Sequence, residues 1–71
     1  MTQTVKIKPS WVRADNVKAV TNKGVVPVSL NCQGSETKIK PGATRTFSPP
    51  QQVFLQTPAG YNADVLLDVE D

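Results

Sequence analysis

Residues 25–47 read VVPVSLNCQGSETKIKPGATRTF, and the pattern within them decides the fold class. Val26, Val28, Leu30 and Cys32 fall on one face of an extended chain, and Val25, Pro27, Ser29 and Asn31 on the other. A period of two is what a strand with one buried face requires; a helix would scatter the same residues. Pro27 has no N–H to give to a ladder, so it marks a sheet edge, a bulge or the start of the strand. Gln33-Gly34-Ser35 is a turn, after which Thr37 and Ile39 face in and Glu36, Lys38 and Lys40 face out. Pro41-Gly42 then offers the fixed φ and the positive φ of a type II turn. Residues 44–47 leave that turn as another β-rich run. The stretch is one hairpin followed by another.

Working outward, residues 4–8 alternate with Val5 and Ile7 on one side, and Pro9 stops the run. Trp11, the single tryptophan, is expected as a core plug because it can bury so much area, with an exposed interface anchor as the alternative. Residues 17–21 read as a strand with Val17 and Ala19 on one face and Val20 on the other. The turn at 22–24 would join it to 25–32 as a hairpin. Ser48-Pro49-Pro50 is a rigid connector unable to join a central ladder. Residues 52–57 form a strand with Val53 and Leu55 inward, and Phe54 expected to be buried on the second face. Pro58-Ala59-Gly60 turns beside Tyr61. The final strand, 62–70, points Ala63, Val65, Leu67 and Val69 in and Asp64, Leu66, Asp68 and Glu70 out, its charges guarding a sheet edge. Six to seven short strands divided by Gly, Pro and Asn turns predict a single all-β domain over 1–71. Its architecture is a small antiparallel β-sandwich or barrel.

At 71 residues, with a mean hydropathy of −0.30, the chain is near the lower limit for a self-sufficient core. Cys32 is the only cysteine and there is no histidine, so an intrachain disulfide is excluded and a zinc site lacks its ligands. Cys32 reads as a small buried apolar residue. Association with copies of itself or with another protein is the remaining source of reinforcement. The N-terminal MTQTVKIKPSW lacks the apolar region of a signal peptide, and no run reaches membrane-spanning length; the expectation is a cytoplasmic protein with no membrane partner. The first 45 residues hold all eight basic side chains against two acidic, and the remainder four acidic and no basic, dividing the net +2 into +6 and −4. Such polarity suits adjacent strands facing each other across a ladder, head-to-tail self-association, or anion binding.

Chemistry is hard to place on these residues. General acid–base work wants a histidine or a carboxylate in a dry site beside a charge partner. Asp64 and Asp68 share a strand face at roughly 13 Å, from ~3.3 Å per residue, too far to share a proton. Gly34, Gly42 and Gly60 are isolated turn glycines and not a phosphate-cradling loop. No cofactor motif is present, and the expectation is a non-enzymatic protein. The alternative is a small basic barrel binding single-stranded nucleic acid through Lys6, Lys8, Arg13, Lys18, Lys38, Lys40 and Arg45. Its stacking rings would come from Trp11, Phe47, Phe54 and Tyr61, some of which the core needs.

Residues 30–47 resemble the middle of small immunoglobulin-like or jelly-roll-like modules, where a polar hairpin is followed by an apolar residue, a Pro-Gly turn and a β run ending in an aromatic. With its size, single cysteine and lack of histidine, the whole chain is similar to accessory structural proteins of tailed-bacteriophage virions, the capsid decoration or cement proteins in particular. That resemblance implies protein–protein contacts with other subunits such as a major capsid protein, a homo-oligomer, and residence in a virion assembled in the host cytoplasm. The outward residues that break the pattern are the interface candidates: Trp11, Val20, Val25, Pro27, Tyr61 and Leu66. Turns at 22–24 and 33–35 would add rim contacts.

Overall fold

The structure, a computed structural model, describes residues 1–70. Six strands follow in order: β1 (Thr2–Ile7), β2 (Val12–Asn22), β3 (Val28–Cys32), β4 (Ser35–Ile39), β5 (Thr44–Gln56) and β6 (Ala63–Val69). They form one antiparallel sheet in the order β1-β6-β2-β5-β3-β4. The all-β, single-sheet-on-itself architecture expected from the alternation is the one observed.

Register shows how one sheet makes two layers. Residues 19–21 of β2 pair with residues 44–46 of β5 on one side and residues 19–22 with β6 on the other, and β6 pairs with β1. Residues 12–14 of β2 pair with residues 53–55 of β5, whose end also pairs with β3, and β3 pairs with β4. Each long strand therefore serves two four-stranded halves, β1-β6-β2-β5 and β2-β5-β3-β4. The halves share one core, in which Ile7, Val17, Val20, Val65 and Leu67 of the first meet Val28, Leu30, Ile39, Val53 and Leu55 of the second. Counting the arms of β2 and β5 separately gives eight short strands in two layers, the jelly-roll topology.

The bend in each long strand has a local cause. Register slips on β2 between Ala14 and Val17, where Asn16 takes a left-handed φ of 54°, and again between Val17 and Ala19. An extra residue turns the following side chains to the opposite face. Val17 and Val20, three apart, are consequently both fully buried. Across from them, β5 spends residues 47–50, with Pro49 and Pro50, on its own bend between the pairs Thr46–Ala19 and Gln51–Val17. The connector expected there lies within a continuous β5, at its corner.

Other expectations are corrected by the pairing. β2 does not form a hairpin with β3; both its edges are taken by β5 and β6, and residues 23–27 cross between the halves. β6 is not an edge but lies between β1 and β2, and the edges are β1 and β4. Its antiparallel register with β1 puts Lys6 opposite Asp64, so the basic and acidic ends of the chain do meet across a ladder. The β3–β4 hairpin forms as expected through a two-residue turn, Gln33 and Gly34 at φ 54° and 80°, with Ser35 already in β4. Two positive φ values suit the type I′ turn that matches strand twist. The Pro41-Gly42 turn closes with Ala43 N–H donating to Lys40 O at 2.9 Å.

Candidate functional site

The topology sends four connections, residues 8–11, 23–27, 40–43 and 57–62, to one end of the sandwich. Hydrogen bonds tie them together. Thr57 N–H donates to Lys8 O at 3.1 Å, Lys23 N–H to Asp64 O at 2.9 Å and Gly42 N–H to Asn22 O at 2.8 Å. Asn22, the last residue of β2, is the hub of this end and is completely buried. Its Nδ2 donates to Val26 O at 2.8 Å and to Ile39 O at 2.9 Å, and its Oδ1 accepts from Gly24 N–H at 2.8 Å. All the side chain's hydrogen-bonding directions but one lone pair are used, which is what makes burial of an amide tolerable. The expectation of a rim contact from Asn22 is thus corrected: it is an internal staple. Thr57, also buried, donates its hydroxyl to Tyr61 O at 2.7 Å and fixes the 57–62 connection in the same way.

Four of the six interface candidates lie on these connections, and all four are exposed. Val25 is 88% exposed, Tyr61 55% and Trp11 44%, with Pro27 exposed beside Val25. Val25 shares a surface cleft with Lys6, Asn62 and Asp64, so the crossover 23–27 sits against the residue that follows Tyr61. Trp11 is not the core plug expected; it lines a shallow apolar cleft of about 310 Å³ with Asn31 and Phe54. Phe54 is half-buried on the outer face, flanked in register by Arg13 and Asn31, and not buried as expected. The core is filled without either ring by aliphatic side chains.

The other two candidates lie elsewhere. Val20 is fully buried, a correction forced by the β2 bulge, and cannot touch a partner. Leu66 is half-buried on the outer face of the β1-β6-β2 half, between Thr4 and Thr21 in register. Cys32 is a free thiol, half-buried against the core. The opposite end of the molecule is polar: Gln33 Nε2 donates to Gln51 Oε1 at 2.6 Å and Gln52 Nε2 to Asp15 Oδ1 at 2.8 Å. That end also exposes Met1, at 68%, beside Val69; among the described residues the connected end holds the other three large exposed apolar side chains, Trp11, Val25 and Tyr61, on braced connections.

Among the described residues no three His, Cys, Asp or Glu side chains gather as a metal site, and no helix is long and apolar enough to cross a membrane. What the connected end can do chemically is offer apolar area in a fixed shape.

No family model and no curated protein matches the chain. Among solved structures it is similar to the solution NMR structure of a de novo designed double-stranded β-helix, with a TM-score of 0.67 at 18% identity over 99% of each chain. At that identity the likeness shows the fold alone. It agrees with the jelly-roll register: two strands wound together and folded over on themselves.

Proposed function

We propose that the protein is a non-enzymatic structural module of the capsid decoration or cement type, which stabilises an assembly by binding neighbouring protein subunits through its connected end. The observation that supports this is the exposure of Trp11, Val25, Pro27 and Tyr61, each on a connection at the end braced by Asn22 and Thr57. Aromatic and apolar side chains held rigidly lose little entropy on docking and carry most of an interface's energy. A standard interface takes about 800 Å² from each partner. The accessible surface is 4294 Å², so one end of so small a body is enough. Binding that selects the folded chain would also reinforce a marginal domain by mass action. The test is the amount of this chain retained by gradient-purified particles from cells that encode it. Stoichiometric retention that a Trp11→Ser/Val25→Ser/Tyr61→Ser variant loses is the expected result; absence from every particle fraction overturns the proposal.

A second reading has its own observation. Trp11 and Phe54 line one cleft with Arg13 in register beside them, an arrangement suited to base stacking. Arg13, however, is already paired with Asp15 at 3.6 Å. Binding to oligothymidylate that weakens steeply with salt would move nucleic acid to first place.

A further inference from the structure

β4 pairs only with β3, and residues 44–46 of β5 pair only with β2, so among the described residues both have one free edge. These edges are joined by the 40–43 turn and diverge from it. An open groove of about 260 Å³ runs between them at the turn, lined by Lys38, Ile39, Lys40, Ala43, Thr44 and Arg45. Past Arg45 it continues into a second cleft of about 310 Å³, with Ser35 on one wall and Phe47 on the other. Three cations border the groove, and no carboxylate does among the described residues. Arg45 lies 5.8 Å over the Phe47 ring instead of beside an acid. The ion pairs among the described residues, Arg13–Asp15 and the N-terminus with Asp68, are formed elsewhere.

We propose that this groove accepts, by strand addition, an extended segment of a partner protein that carries carboxylate side chains. Free edges supply main-chain donors and acceptors, while side chains alternate between the groove and solvent. β4 offers five residues, so the incoming segment has about five or six, spanning roughly 17–20 Å. Lysines on an edge strand also serve to discourage pairing between sheets, which would account for Lys38 and Lys40. That role does not account for Arg45 on the facing wall, nor for the Phe47 ring beneath it. Carboxylates on the outer face of the inserted strand would meet Lys38 and Lys40, and small apolar residues on its inner face would lie on Ile39 and Phe47, with Arg45 on that inner side over the ring. A nucleic-acid occupant is disfavoured here because the groove presents one ring, where stacking successive bases needs several. The inference rests on the protein-binding reading and names the chemistry of one partner segment.

The experiment is a titration of ¹⁵N-labelled full-length protein with a capped hexapeptide of alternating valine and glutamate, followed by amide shifts and amide exchange. Expected are shifts and slowed exchange confined to residues 35–39 and 44–48, with no response to the matching valine–lysine peptide. N-methylating alternate peptide amides should abolish the slowed exchange. Lys38→Glu/Lys40→Glu should weaken binding at least tenfold and admit the valine–lysine peptide, its own spectrum showing the fold retained. No shift at millimolar peptide, shifts centred on Trp11 and Tyr61, or equal responses to free glutamate or oligothymidylate would each overturn the inference. Those failures leave the particle-retention result untouched, because that experiment reads Trp11, Val25 and Tyr61.

Discussion

Replacing Asn22 with alanine should cost this protein a large part of its stability. The side chain makes three hydrogen bonds of 2.8–2.9 Å, and its removal strands the carbonyls of Val26 and Ile39 and the amide of Gly24. Ile39 O is in a buried bond, and the other two are part-buried. A buried group left without its partner costs about 1–3 kcal/mol, so the three together come to about 3–5 kcal/mol. A domain of 71 residues is stable by only about 4–10 kcal/mol at ~0.05–0.15 kcal/mol per residue. Urea unfolding followed by Trp11 fluorescence and by far-UV circular dichroism should place Asn22→Ala about 3–5 kcal/mol below the wild type. Its Tm should fall by roughly 12–40 °C, from ~4–8 °C per kcal/mol in a domain this small. Asn22→Asp keeps the shape but points carboxylate oxygens at two carbonyls, and should be worse. Thr21→Ala, which removes an exposed hydroxyl pair with Thr44 at 2.8 Å, should cost about 0.5 kcal/mol and serves as the control. An Asn22→Ala protein within about 1 kcal/mol of wild type, with an unchanged denaturant slope, would refute the view that this residue staples the connected end.

Gly24→Ala would set a Cβ 2.6 Å from Ala63 Cβ, so a loss of about 1–3 kcal/mol is expected in thermal melts. Gly34→Ala meets no atom within 4 Å and carries only the strain of its φ of 80°, so it should lose about 1 kcal/mol in the same melts. Val20→Ala, at a fully buried site, should destabilise by about 1–3 kcal/mol in urea, whereas Trp11→Ser should leave stability within about 1 kcal/mol and act on partner binding. Lys6→Glu places like charges directly opposite at Asp64 and should cost a few tenths to about 1 kcal/mol, less as salt is added, as equilibrium unfolding would read.

Local alternation was enough to find strands and turns. The β3–β4 hairpin, the Lys40–Ala43 turn and the inward face of β6 all follow from residues adjacent in the sequence. Which strand lies beside which is decided by contacts far apart along the chain. β2 was therefore assigned the nearest partner, β3, when its neighbours are β5 and β6. Val20 departs from the alternation because a second register shift, between Val17 and Ala19, inverts the faces after it, and Lys18 at that shift carries no local bulge signal. Asn22-Lys23-Gly24 does turn through an Asn22 side chain bonded to Gly24 N–H, as Asn turns do. Nothing local reveals that two carbonyls from residues 26 and 39 come to the same amide. Trp11 and Phe54 were expected inside because large rings usually are, yet an aliphatic core this small closes without them. Of the candidate site, Val25, Pro27 and Tyr61 are legible as outward residues and Trp11 only as the alternative to a core plug; their arrival at one end is a product of jelly-roll topology.

The most direct measurement is a hydrogen-exchange footprint of the chain on assembled particles compared with the chain alone. The account predicts added protection at residues 8–11, 23–27 and 57–62, with the β2 bulge at 15–16 and the 33–34 turn at the opposite end exchanging as before. Protection centred on those opposite turns, or an unchanged pattern on a particle that retains the chain, would contradict it.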